Sequence, residues 1–196
     1  MRMMPIVETI VETMRQSVRA SLENRMEATL HYPTKAILET LGNIIAENDE
    51  FAAFLVRCRY VELLHDVYFD PKNEDPYLRL EVIFNWMNLS AGNQSQVLFD
   101  TNILETLVKN VTALTPQADE VCYEAARRSM VVICNFICEC SDETRYFLIT
   151  NNIKALLEGY LAIVQGRWVD EDHDFVVSIL QRMNGLLVSY KQNLEC

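Results

Sequence analysis

Three stretches of this chain fall into register: Leu41–Leu64, LGNIIAENDEFAAFLVRCRYVELL; Met87–Val108, MNLSAGNQSQVLFDTNILETLV; and Cys134–Leu157, CNFICECSDETRYFLITNNIKALL. Each places an Asn inside a long apolar run, then a polar break, a short helix, a polar corner and a second amphipathic helix. The anchoring asparagines are Asn43, Asn88 and Asn135, with Asn184 a weaker fourth, at separations of 45, 47 and 49 residues. A period of about 40–47 residues is that of three-helix solenoid repeats, in which one unit cannot bury its apolar face without a stacked neighbour.

Working outward, helical spacing recurs almost everywhere. Ile6, Val7, Ile10, Val11, Met14 and Val18 form one stripe, and Val82, Ile83, Trp86, Met87 and Leu89 form another. No segment alternates as a strand. Asp75-Pro76 and Thr115-Pro116 each pair a capping side chain with a proline at the first helical position, where its missing N–H costs nothing. Asp170 is the expected cap of the last long helix. The predicted organisation is therefore all-α and a single domain over 1–196. It comprises an N-terminal helical cap at 4–30, a partial repeat at 33–47 and repeats at 48–91, 93–139 and 141–193.

Composition narrows the function. The chain has 196 residues, half of them hydrophobic, with five Gly and five Pro, which supplies a real core and few tight turns. Lys and Arg number 17 against 28 Asp and Glu, a net charge of −11. Residues 1–60 carry 7 basic and 8 acidic groups, and residues 61–196 carry 10 and 20, so the acidic surface belongs to the later part. Nucleic acid and anionic membranes are poor ligands for such a surface, and a basic protein partner suits it. Six scattered cysteines, with Glu8 and Glu12 breaking any secretory apolar core, predict a reduced, intracellular protein, cytoplasmic or nuclear.

At these residues the chain resembles armadillo-repeat proteins, most closely the importin-α-like branch; the segment Asn85–Val108, NWMNLSAGNQSQVLFDTNILETLV, carries the likeness best. The resemblance covers roughly 33–190 and implies a right-handed α-solenoid, an alpha-alpha superhelix, of about three and a half repeats. It also implies a concave groove in which an Asn from each third helix holds the backbone of an extended peptide: Asn43, Asn88, Asn135 and Asn184. A side-chain amide both donates to and accepts from a peptide unit, so a row of them grips a chain without fixing its sequence. The family's Trp position, four residues before each Asn, holds Glu39, Phe84, Val131 and Leu180 here, so aromatic slots for Lys stems are not implied. The family's corner Gly is replaced by Arg59, Asn102 and Asn152. Asn tolerates a left-handed turn, and Arg59 predicts that the first corner turns differently.

Alternatives stand beside these readings. The repeat asparagines either bind a partner or tie neighbouring backbone. Phe84 is a groove or a core residue, and Glu39, Glu81 and Glu139 line an acidic groove or a solvated face. Trp86, two residues from Asn88, is expected in the core. Cys134 and Cys138 have ligand-like spacing and read as core thiols, while His173 among acidic residues reads as a helix start. No phosphate loop, nucleophile elbow or metalloprotease motif is present, so the chain is read as non-enzymatic, with no cofactor and no metal. The function expected is an adaptor that binds a protein partner, such as a basic or extended peptide segment, along its groove. The alternatives are an importin-α-like nuclear transport adaptor, and a scaffold that forms a homodimer through its ends. Self-association would use Ile6, Ile10, Met14 and Val18, or the last helix around Leu186, Leu187 and Tyr190.

Overall fold

A computed structural model describes residues 8–9, 11–13, 16, 31–164 and 171–194. Ten helices make up the well-described part. In chain order they are α1 (His31–Ala46), α2 (Asp49–Arg57), α3 (Tyr60–Phe69), α4 (Pro76–Ser90), α5 (Ser95–Phe99), α6 (Leu104–Thr112), α7 (Glu120–Glu139), α8 (Asp142–Thr150), α9 (Ile153–Val164) and α10 (Glu171–Leu194). No strand occurs among the described residues. The fold is all-α, built by packing of neighbouring helices. The N-terminal cap at 4–30 falls almost wholly outside the described residues, as does Asp170.

The contacts divide the chain into two compact units, residues 1–94 and 95–196. In the first unit α1 lies along α4, and α2 and α3 join them. Leu38, Leu41 and Ile45 recur at helical spacing on α1 and are buried, as are Val82, Ile83 and Trp86 of α4, the helix α1 packs against. Trp86 is fully buried, with its ring 4.9 Å from that of Tyr68. In the second unit α7 packs against α5, α6, α8 and α10. Every residue from Ser129 to Ile137 is buried, as a central helix requires. Cys134 and Cys140 are buried and Cys138 half-buried, the placement of core thiols.

Local chemistry starts most helices where the side chains dictate. The Asn48 carboxamide accepts from the Phe51 N–H (2.9 Å) to open α2, whose first turn holds Asp49 and Glu50 and whose last holds Arg57, the favourable order for the helix dipole. Asp75 caps α4 through the Tyr77 N–H (2.9 Å), with Pro76 in its first turn. Thr115-Pro116 does not behave in this way. There the chain makes a turn closed by the Ala118 N–H on the Thr115 carbonyl (3.0 Å), and α7 starts only at Glu120, capped by Asp119 through the Cys122 N–H (2.8 Å). A carboxylate at the correct distance from the periodic run outcompetes the earlier Thr.

Three corners share one backbone state. Arg59 (φ 63°) joins α2 to α3, Asn102 (φ 61°) lies between α5 and α6, and Asn152 (φ 67°) between α8 and α9. The first corner thus turns as the other two do, against the expectation from Arg59. A short first helix, a left-handed corner, a second helix and a longer third helix recur as α2–α4, α5–α7 and α8–α10.

Candidate interaction surfaces

The polar hub of the first unit is Asn85, a residue the repeat register passes over. It is fully buried and saturated: the Tyr60 hydroxyl donates to its Oδ1 (2.8 Å), and its Nδ2 donates to the carbonyls of Leu38 (2.9 Å) and Glu81 (2.8 Å). Burial pushes the Tyr60 phenol well above its ordinary pKa, so it stays protonated and donates. The signal for Asn85 was a polar residue between Phe84 and Trp86 in a helix interior, where Asn has poor propensity unless its amide is used.

Asn88, one turn on, spends an N–H on the Gly42 carbonyl (2.9 Å) and so also ties α4 to α1. The two helices come close at Gly42. A Cβ there would sit 2.7 Å from the Phe84 ring and 3.3 Å from Asn85 Nδ2. Phe84 is half-buried over this glycine, and Glu81 is half-buried. Asn43 and Glu39, on α1, are exposed.

In the second unit, Asn135 and Val131 are each only 8% exposed on α7, whereas Asn184, on α10, is exposed. The repeat asparagines therefore divide: Asn88 and Asn135 are partly or wholly withdrawn into the packing, and Asn43 and Asn184 face solvent. Near the end of α7, Glu139 is exposed, and the guanidinium of Arg145, 17% exposed, donates to the carbonyls of Ile137 (2.8 Å), Cys138 (3.1 Å) and Cys140 (3.3 Å) while pairing with Asp142 (2.8 Å). A cation on the last carbonyls satisfies groups the helix leaves open and suits the dipole. Arg182 Nη1 lies 3.7 Å from Cys138 Sγ, yet burial raises the pKa of Cys138, and also of Cys140, which shares a hydrogen bond with Ser95 (3.4 Å). Both thiols are thus held protonated, unlike a nucleophile. Earlier on α7, Glu124 is clamped by Arg127 (2.6 and 2.7 Å) and Arg128 (2.7 Å). Burial opposes its charge, but the guanidinium hydrogen bonds prevail and lower its pKa.

Two apolar surfaces open on the second unit. One is a groove of about 460 Å³ between α6 and α9, floored by Val111, Leu156 and Tyr160 and flanked by Gly159 and Ile163. The other lies on α5 and α8, where Val97, Tyr146 and Phe147 are exposed. Among the described residues, no group of three or more His, Cys, Asp or Glu side chains is placed to hold a metal ion. His173 is half-buried in the first turn of α10, 3.6 Å from Asp174. The proposed self-association residues Ile6, Ile10, Met14 and Val18 lie outside the described residues, although Val11 of the same stripe is buried. The backbone of α10 runs through Leu186, Leu187 and Tyr190, whose side chains are outside them too.

No family model, curated protein or solved structure matches this chain.

Proposed function

We propose that the chain is a non-enzymatic protein-interaction module of armadillo type, a short right-handed α-solenoid of about three and a half repeats that binds an extended segment of a partner protein. The observation that carries the reading is the threefold recurrence of a short helix, a left-handed corner, a second helix and a longer third helix. Repeats of that kind present rows of third-helix side chains as binding surface. The exposed amides of Asn43 in the first unit and Asn184 in the second are the groups with hydrogen-bonding capacity to offer, while Asn88 ties α4 to α1 and Asn135 is buried. The net charge of −11 favours a basic segment.

The test is selection of extended peptides from a random library on the intact chain, followed by titration of Asn43→Ala and Asn184→Ala. Affinity for selected peptides falls about tenfold in at least one variant with the helical spectrum unchanged. Unaltered affinity in both ends the assignment of these asparagines. Titration with a Lys-rich localisation peptide addresses the transport-adaptor form of the reading, which fails if that peptide does not bind at low salt.

A further inference from the structure

Three of the six large hydrophobic side chains exposed among the described residues are carried by the touching helices α5 and α8: Val97 (44%), Tyr146 (44%) and Phe147 (47%). The two helices are latched to one another. The Gln96 side-chain oxygen Oε1 accepts from the Ser141 N–H (3.0 Å) and the Thr144 hydroxyl (3.2 Å), and Phe99 meets Phe147 edge-on at 6.3 Å. Phe99 is itself braced by the buried Phe136, 5.4 Å away. Phe147 is thus a solvent-facing aromatic supported from behind, the preorganised anchor that binding sites place at their centres.

The exposed charges that α5 and α8 themselves carry are carboxylates. Asp100 follows Val97 by three residues, Asp142 precedes Tyr146 by four and Glu143 precedes Phe147 by four, so each carboxylate shares a helix face with an apolar neighbour. Asp100 and Glu143 are exposed, and Asp142 is 87% exposed. The sole cation on these two helices, Arg145, is turned inward onto the α7 carbonyls and neutralises part of Asp142. Two neutral polar groups of the ledge are engaged within the chain: the Gln96 amide donates to Asp100 (2.8 Å), and the Thr150 hydroxyl donates to the Tyr146 carbonyl (2.9 Å). A helix satisfies its own backbone groups, so it can dock here through its side chains alone.

We propose that this ledge docks a basic amphipathic helix of a partner protein, whose apolar row covers Val97, Tyr146 and Phe147 and whose Lys or Arg flanks meet Asp100, Asp142 and Glu143. This surface is separate from the third-helix asparagines and stands or falls without them.

The probe is a fluorescein-labelled, 18-residue Leu/Lys peptide patterned as an amphipathic helix, titrated by anisotropy against the intact chain. Controls are a scrambled peptide of the same composition and a Leu/Glu helix. The patterned basic peptide binds, and both controls bind at least about tenfold more weakly. Phe147→Ala weakens binding about tenfold. Asp100→Asn with Glu143→Gln weakens it severalfold at low salt and flattens its salt dependence. Tyr77→Ala, in the other unit, and Asn43→Ala leave it unchanged. Tyr146→Ala, on the exposed face, serves if Phe147→Ala lowers the melting temperature. Equal binding by the wild type and both aromatic variants, or by the scrambled peptide, overturns the proposal. So does a dimer in sedimentation that Phe147→Ala dissolves, since the ledge would then belong to a second copy.

Discussion

Replacing Asn85 by Asp changes one NH2 for an oxygen and leaves shape and volume almost untouched, which isolates the polar bookkeeping of the first unit. In the native chain Nδ2 lies 2.9 Å from the Leu38 carbonyl and 2.8 Å from the Glu81 carbonyl, both acceptors. A carboxylate oxygen at that place would face two oxygens in a site closed to water. The side chain must therefore take up a proton, which restores one donor and forfeits the other bond. With an ordinary Asp pKa of about 3.9, neutralising the group at pH 7 costs about 4 kcal/mol, and the lost hydrogen bond adds about 1 kcal/mol. The sign follows from linkage. The folded-state pKa is raised, so the protonation part of the penalty nearly vanishes below about pH 4, leaving the lost hydrogen bond, and grows by about 1.4 kcal/mol per pH unit as pH rises until the folded form itself ionises. Urea unfolding followed by far-ultraviolet circular dichroism at about pH 5.5 and 7.5 measures it, with about 2.7 kcal/mol expected between the two. A loss below about 1 kcal/mol, or one independent of pH, refutes the assignment of Nδ2 to those carbonyls. Tyr60→Phe, which removes the donor to Oδ1 (2.8 Å), costs about 1 kcal/mol and couples to Asn85→Ala in a double-mutant cycle.

Other substitutions test other joints. Gly42→Ala drives a methyl to 2.7 Å from the Phe84 ring and lowers stability by about 1–3 kcal/mol despite better helix propensity; a melting temperature equal to or above the wild type contradicts the close approach of α1 and α4. Arg59→Gly relieves a left-handed side-chain residue (φ 63°) and gives up an exposed pair with Glu62 (3.0 Å), for a net gain of about 0.5–1 kcal/mol in thermal unfolding; a loss means the corner is held by the arginine. Glu124 has a lowered pKa, so its clamp is intact above the ordinary glutamate range and is lost as pH falls through the folded value. Glu124→Gln should flatten the stability profile below about pH 4.5, and an unchanged acid slope counts against the clamp.

The helix order was legible because caps and periodicity are local: Asn48 and Asp75-Pro76 open helices where their side chains reach the free N–H groups. Asp119 was harder to choose over Thr115, since both satisfy the capping rule and only the register of the following helix decides. The Arg59 corner was misread because propensity describes the residue alone. Its backbone is imposed by Leu55 on one side and Tyr60 and Leu64 on the other, all buried. Asn85 escaped notice for a geometric reason. α4 buries residues around most of its circumference, including Leu78, Leu80, Ile83, Trp86 and Leu89, so its sequence has no clear polar face against which an inward amide stands out. The exposed aromatics of α8 were equally hidden, because Tyr146-Phe147-Leu148-Ile149 reads as one apolar run until packing buries only its last two members.

The division among the repeat asparagines decides which experiments carry information. Asn88 donates to the Gly42 carbonyl across the α1–α4 contact, so Asn88→Ala loses about 1 kcal/mol and loosens the helices that would present any binding surface of the first unit. A drop in partner affinity in that variant has two explanations and separates nothing. Asn135, 8% exposed on the most buried helix of its unit, shares the difficulty. Asn43 and Asn184 stand in solvent on helices whose cores are formed by other faces, Leu38, Leu41 and Ile45 on α1 and Val176, Ile179 and Met183 on α10. Truncating either removes a polar handle and leaves the packing intact, so stability shifts by no more than about 0.5 kcal/mol. Lost peptide affinity at constant melting temperature in Asn43→Ala or Asn184→Ala then reports recognition itself. The opposite pattern, with binding lost only where Asn88 or Asn135 is altered and the melting temperature falling in step, would make the asparagines of this chain the ties between its helices and not its grip on a partner.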